Sequence, residues 1–223
     1  MTCCAAIQLV SGPTLADNLS RVESLALGAA AAGAQLLVLP ESFALFGDRE
    51  GTAQLARREA ENGELQTWLA GLASRCALTL IGGTLAVASD DGRAWASCFS
   101  YGPDGSELGR YQKIHLFDAS VQDATSAYRE SDDYRPGDRA CVIDSPVGRI
   151  GVAVCYDLRF PALFQRFLDL GVDVIAIPSA FTRTTGQAHW HTPLKARAIE
   201  NGCFVIAAAQ CGDHPGNRQT FGH

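Results

Sequence analysis

Apolar residues arrive along this chain in two rhythms. Short runs, continuous or alternating, fall at 2–10, 36–39, 78–82, 95–101, 108–112, 140–144, 149–155, 174–177 and 203–210, the pattern of strands buried on one or both faces. Between them lie stretches in which apolar residues recur every three to four positions. Leu19, Val22, Leu25, Ala26 and Ala29 do so within 15–32, and the remaining sequence predicts helices over 52–75, 161–170 and 193–201. Gly33 stops the first helix and Pro161 opens the third. Pro103-Asp104-Gly105 predicts a hairpin joining 95–101 to 108–112. Residues 117–139 are polar and irregular and predict a long surface loop.

One stretch repeats. Gly33-Ala34-Gln35-Leu36-Leu37-Val38-Leu39-Pro40-Glu41-Ser42-Phe43 aligns without gaps on Gly171-Val172-Asp173-Val174-Ile175-Ala176-Ile177-Pro178-Ser179-Ala180-Phe181. Each copy follows a strand and a helix. The repeat predicts two similar strand–helix–strand units with parallel pairing, and the hairpin adds antiparallel strands, giving a mixed α/β sheet structure. The alternative is chance recurrence of a helix-stopping glycine, an apolar run and a proline.

At 223 residues the chain is long enough for one sizeable domain with a real core. A net charge of −6, with no basic cluster denser than Arg57-Arg58, argues against a nucleic-acid partner. The most apolar stretch, 25–39, is short of a membrane span and interrupted by Gly28, Gly33 and Gln35, so no membrane partner is expected. Eight cysteines raise the question of disulfides. Most lie in apolar runs, and Met1-Thr2-Cys3-Cys4 leads straight into a strand rather than a signal-like segment; reduced thiols and a cytoplasmic location are the expectation.

Three residues carry candidate chemistry. Cys155 ends an apolar strand just before a helix, where its sulfur meets the sheet rim and backbone N–H groups face a developing oxyanion; the helix N-terminus favours thiolate. Glu41 follows a strand buried on both faces, where α/β sites are built and a carboxylate needs a partner or a task. Lys113 leaves a strand into the long loop, a compact cation able to hold a thiolate or an oxyanion. Singly, each reads as well as something ordinary: a core cysteine, a strand-end glutamate facing water, a surface lysine. His189-Trp190-His191 is not a helix-face metal pattern and no third ligand accompanies it, so neither metal nor cofactor is expected.

Taken together, Leu39-Pro40-Glu41-Ser42-Phe43, Gly109-Arg110-Tyr111-Gln112-Lys113-Ile114-His115-Leu116 and Gly151-Val152-Ala153-Val154-Cys155-Tyr156-Asp157-Leu158-Arg159-Phe160-Pro161 resemble the nitrilase superfamily of carbon–nitrogen hydrolases in order and spacing. The resemblance implies a four-layer αββα sandwich. It implies a Glu41–Lys113–Cys155 triad, with Glu130 the family's second active-site glutamate. It implies an amidase that converts a small carboxamide to acid and ammonia through a cysteine thioester. Residues 178–212, ending in Ala207-Ala208-Ala209-Gln210-Cys211-Gly212, resemble the branch acting on deaminated glutathione; omega-amidases share the earlier part. An α-keto-acid-like amide needs a cation for its carboxylate, and Arg159 and Arg183 are candidates, with Tyr156 and Phe181 beside the site. Arg159 reads equally as a partner of Asp157. An N-carbamoyl-amine hydrolase, an acyltransferase and a non-catalytic scaffold are the competing functions. The family continues past the stretch ending in Phe221-Gly222-His223, so residues 1–223 are expected to form a single domain lacking its C-terminal strands, homo-oligomeric when full length.

Overall fold

A computed structural model describes residues 2–61, 63–123 and 125–222. In chain order its elements are β1 (Cys4–Ala6), α1 (Leu15–Ala31), β2 (Leu36–Val38), α2 (Arg49–Glu61), α3 (Glu64–Cys76), β3 (Thr79–Ile81), β4 (Leu85–Ala88), β5 (Ala94–Tyr101), β6 (Glu107–Gln112), β7 (Asp118–Ser120), β8 (Ala127–Arg129), β9 (Tyr134–Arg135), β10 (Cys141–Ser145), β11 (Gly148–Val152), α4 (Pro161–Asp169), β12 (Val174–Ala176), α5 (Arg183–His189), α6 (His191–Asn201), β13 (Phe204–Ile206), β14 (Gly212–Asp213) and β15 (Gln219–Thr220).

Two mixed sheets form. In the first, β1, β2 and β3 run parallel, and β5 lies antiparallel to β3, β4 and β6. In the second, β10 is antiparallel to β11, while β11, β12 and β13 run parallel. The unbroken apolar run at 36–39 now has a reason. Leu36 and Val38 face the second sheet, in one core with Cys98, Ile150, Val152 and Ile175. Leu37 and Leu39 face the other way, packing with Val22 and Ala26 of α1 and with Leu69 and Leu72 of α3. Phe164 and Phe167 of α4 join the second sheet's core, with Leu194 of α6 packed against it. Fully burying each such side chain contributes roughly 1.5–3 kcal/mol. The result is the expected four-layer αββα sandwich. The repeated stretch corresponds to β1–α1–β2 and β11–α4–β12, each a parallel strand–helix–strand unit.

Several expectations are corrected. The helix over 52–75 is two helices, because Gly63 turns the chain with φ 59°. Residues 117–139 are not one loop: β7 and β8 pair as a hairpin, and β9 joins β5 where β6 has left it. A separate α5 precedes α6, and β14–β15 form a closing hairpin. β4 was not foreseen either. It continues β3 past a bulge: the five steps from Leu80 to Leu85 face the four from Tyr101 to Ser97. Gly83 sits in that bulge with φ 62°, and a Cβ there would lie 2.2 Å from the Pro40 carbonyl oxygen. The glycine therefore lets the segment preceding Glu41 settle onto the bulge. No helix among the described residues is long and apolar enough to cross a membrane.

Candidate active site

Strand ends supply the site. Glu41 follows β2, Lys113 follows β6 and Cys155 follows β11, so three distant segments open onto one rim. Each is pinned by its backbone. Gln210, itself buried, donates from Nε2 to the Glu41 carbonyl at 3.1 Å. Ser42, at φ 55°, donates its N–H to Thr84 Oγ1 at 2.8 Å. Lys113 keeps the ladder, N–H to Ala96 O at 3.0 Å, while its carbonyl accepts from Gly137 N–H at 2.8 Å. Cys155 opens a 3₁₀ turn over Cys155–Arg159 with φ 48°, the left-handed region that strains a residue bearing a Cβ. Its N–H is held by Pro178 O at 2.9 Å.

The side chains converge. Lys113 Nζ donates to Glu41 Oε1 at 2.8 Å and to both oxygens of Glu130 at 2.9 Å. Glu130 Oε2 also accepts from Phe117 N–H at 2.6 Å. The Cys155 thiol contacts the Glu41 carboxylate, and Ala180 N–H points at the sulfur. Lys113 is 2% exposed and Cys155 7%, so these charges interact with little screening.

Burial alone would pull the Lys113 ammonium down, but the carboxylates of Glu130 and Glu41 outweigh it and hold it well above its ordinary range. Burial raises Glu130, with Lys113 opposing. Burial also pushes the Cys155 thiol well up, and Glu41 adds to this against Lys113 and Ala180 N–H. The resting thiol is therefore protonated at neutral pH, which corrects the expectation that the helix N-terminus favours thiolate. It reacts only if a base takes its proton, and Glu41 is in contact.

A residue that the sequence reading assigned no chemistry joins the elbow to the lysine strand. Asp157 is fully buried. Its Oδ2 accepts from Tyr111 Oη and Val154 N–H, both at 2.8 Å. Its Oδ1 accepts from His115 N–H at 3.0 Å and lies 2.7 Å from His115 Nδ1. Asp157 is thus taken by partners other than Arg159. Arg159 instead lies 3.2 Å from His189 Nδ1 and over the Phe181 ring at 5.8 Å.

A cavity of about 530 Å³ opens above the triad, and Glu41, Lys113, Glu130, Cys155, Tyr156, Arg159 and Phe181 all line it. Arg183 does not; it pairs with Asp213 at 2.9 Å. No group of three or more His, Cys, Asp or Glu side chains among the described residues is arranged to hold a metal ion.

A buried cysteine touching a carboxylate, with a buried ammonium beside it, stands at the rim of an αββα sandwich, and that fold is the fold of the nitrilase superfamily. More particularly, the chain belongs to the carbon-nitrogen hydrolase family, whose model matches residues 3–223. It is 40% identical over 221 residues to the deaminated glutathione amidase of Yersinia enterocolitica, covering 98% of this chain and 77% of that protein. It is 35% identical over 218 residues to the omega-amidase NIT2-B of Xenopus laevis, covering 97% of this chain and 77% of that one. The crystal structure of the C. elegans NitFhit protein matches with a TM-score of 0.89 at 32% identity, over 100% of this chain and 55% of that one. The chain is a carbon–nitrogen hydrolase of the amidase kind.

Proposed function

We propose that the chain hydrolyses a small α-keto-acid amide through a thioester on Cys155, with deaminated glutathione the favoured substrate. The observation that carries the mechanism is the contact of the protonated Cys155 thiol with Glu41 beside the Lys113 ammonium. Glu41 takes the thiol proton as sulfur attacks the amide carbon. Lys113 stabilises the oxyanion together with the Tyr156 N–H, since the neighbouring N–H groups of Cys155 and Asp157 are bonded to Pro178 and Val154. The tetrahedral adduct expels its amine, which receives the proton from Glu41. Water, deprotonated by Glu41, then releases the acid and restores the thiol. With a primary amide the leaving group is ammonia; with deaminated glutathione it is the amine of a dipeptide.

Glu130 orients Lys113, and Tyr156, Arg159 and Phe181 contact substrate, Arg159 taking the keto-acid carboxylate. The relative at 40% identity supports the substrate. Omega-amidase activity on a primary amide is the second reading, supported by the relative at 35%. Residues 1–223 act as one hydrolase domain. Eight free cysteines support a cytoplasmic location, and exposed Ile199 and Phe204 support a homo-oligomer, testable by light scattering.

The test is release of amine or ammonia from a panel of 2-oxo-acid amides, with hydroxylamine trapping of the thioester. Cys155→Ala abolishes both, and Cys203→Ala abolishes neither. Equal turnover by Cys155→Ala and the unaltered protein ends the proposal.

A further inference from the structure

The cavity is rich in arginine, and most of it is committed or exposed. Arg49 pairs with Asp133 at 2.5 Å and Arg93 with Asp91 at 2.7 Å, while Arg57 and Arg129 lie at the exposed rim. Arg159 and Arg218 are different: both are partly buried, both line the cavity, and neither has a carboxylate within ion-pair distance among the described residues. Arg159 belongs to the same 3₁₀ turn as the nucleophile. Arg218 lies elsewhere on the wall, its guanidinium 4.7 Å from the Phe46 ring centroid and 5.5 Å from that of Tyr128.

The route between them is a row of rings. Tyr156, next to Cys155, lies 5.0 Å from Phe117, and Phe117 lies 5.1 Å from Tyr128. The row thus leads from the nucleophile to Arg218. The hairpin that carries Arg218 is anchored to the rest of the molecule. His214, buried, joins Ser11 O at 2.9 Å and Thr220 Oγ1 at 2.7 Å, and its ring packs 4.2 Å from Phe46. His214 N–H donates to Arg218 O at 2.8 Å. A guanidinium lying over two aromatic rings on a hairpin bonded to the core, with no carboxylate paired to it among the described residues, is suited to take one from a substrate.

We propose that Arg218 is a specificity-determining residue that binds the carboxylate at the far end of the departing amine, so that amides of a carboxylate-ended dipeptide are preferred to primary amides. The inference rests on the amidase reading and deepens it. Two separated cations, with the nucleophile on the turn that bears one of them, suit a substrate with a carboxylate at each end and the scissile amide between. Two extended residues span roughly 7 Å, long enough to carry a carboxylate well away from the sulfur along the ring row.

The experiment uses three amides sharing a 2-oxoglutaryl group attached through its 5-carbonyl: the primary amide, the cysteinylglycine amide, and the latter with its terminal carboxylate converted to carboxamide. In Arg218→Met the ratio of kcat/KM for the dipeptide amide to that for the primary amide falls about 10- to 100-fold, carried by KM, with Arg218→Lys intermediate. The unaltered protein suffers the same loss on the carboxamide-ended compound, and in Arg218→Met that change of substrate has no further effect. An unchanged ratio, or equal losses on all three amides, overturns the assignment. Should Arg218→Met fail to fold, the two dipeptide substrates on the unaltered protein and on Arg218→Lys decide, and equal kcat/KM for them overturns it. Should the unaltered protein cleave none of the amides, the amidase reading fails separately. Calorimetric binding of the two dipeptide compounds then decides the role of Arg218: a preference for the carboxylate that Arg218→Met loses supports it, and no preference overturns it.

Discussion

Lys113 has three N–H donors, and Glu41 and Glu130 together occupy them with one contact of 2.8 Å and two of 2.9 Å. Two carboxylates face one ammonium, so a thiolate added to this group is a third negative charge. That is why burial and Glu41 together keep the Cys155 proton in place. Moving the proton from sulfur to Glu41 leaves the count unchanged, because the thiolate replaces the carboxylate beside Lys113. Glu130, bonded also to Phe117 N–H, then fixes the ammonium while its other neighbours exchange charge. Lys113→Met is expected to lower kcat about 100- to 1,000-fold, as removal of an oxyanion donor does. Glu130→Gln lowers it less. With Glu130 acting through the lysine, as proposed, the double variant falls no further than Lys113→Met alone. Steady-state kinetics of the four proteins check this, and losses that simply add would give Glu130 a role independent of Lys113.

One buried carboxylate ties the elements that bear these residues. Asp157, on the elbow after β11, holds Tyr111 of β6 and His115 just beyond it, while Lys113 lies between those two. Asp157→Asn replaces one acceptor by a donor facing Tyr111 or the Val154 or His115 N–H. Unfolding free energy is expected to fall by about 1–3 kcal/mol, and kcat to fall with it as Lys113 and Cys155 lose their common anchor. Urea unfolding and kinetics on the same preparation check both; a drop in stability with unaltered kcat would separate the tie from catalysis. The sequence made the strand ends legible, since Glu41, Lys113 and Cys155 each close an apolar run, but not this tie. Asp157 reads locally as a turn residue, and two of its partners lie 42 and 46 positions away. Strands β7 to β9 escaped for a related reason: at two or three residues each they are too short for an alternation to be read from sequence, and their pairing is set by neighbours. Helix α5 begins where Thr182 Oγ1 caps Thr185 N–H at 3.3 Å, a signal too weak to read without the fold.

For the molecule as a whole, the repeated apolar run predicted two like units, and each became the parallel heart of a sheet. Which faces meet was not written in either run, because Leu36 and Leu37 are equally apolar yet point to different cores. Only the closed sandwich distinguishes them, helped by backbone contacts such as Leu9 N–H to Ala209 O at 3.2 Å and Cys211 N–H to Leu9 O at 2.8 Å. The inter-sheet core also contains thiols. Cys98 is fully buried there, and burial, with Cys141 adding, pushes it well above the ordinary thiol value of 9.0. Cys155 is raised likewise by burial and Glu41. A raised value means that the fold tolerates only the protonated form. Below about pH 9 folded and unfolded chains both keep these protons, and nothing is lost; above it the unfolded chain releases them and the folded chain cannot. Each thiol then lowers stability by up to about 1.4 kcal/mol per pH unit. Under reducing conditions the urea midpoint is expected to fall between about pH 8 and pH 10, and Cys98→Val, which keeps an apolar side chain at that site, to fall less. Equal falls in the two proteins would mean that the Cys98 thiol ionises as freely in the folded chain as in the unfolded one, contrary to its position between the sheets.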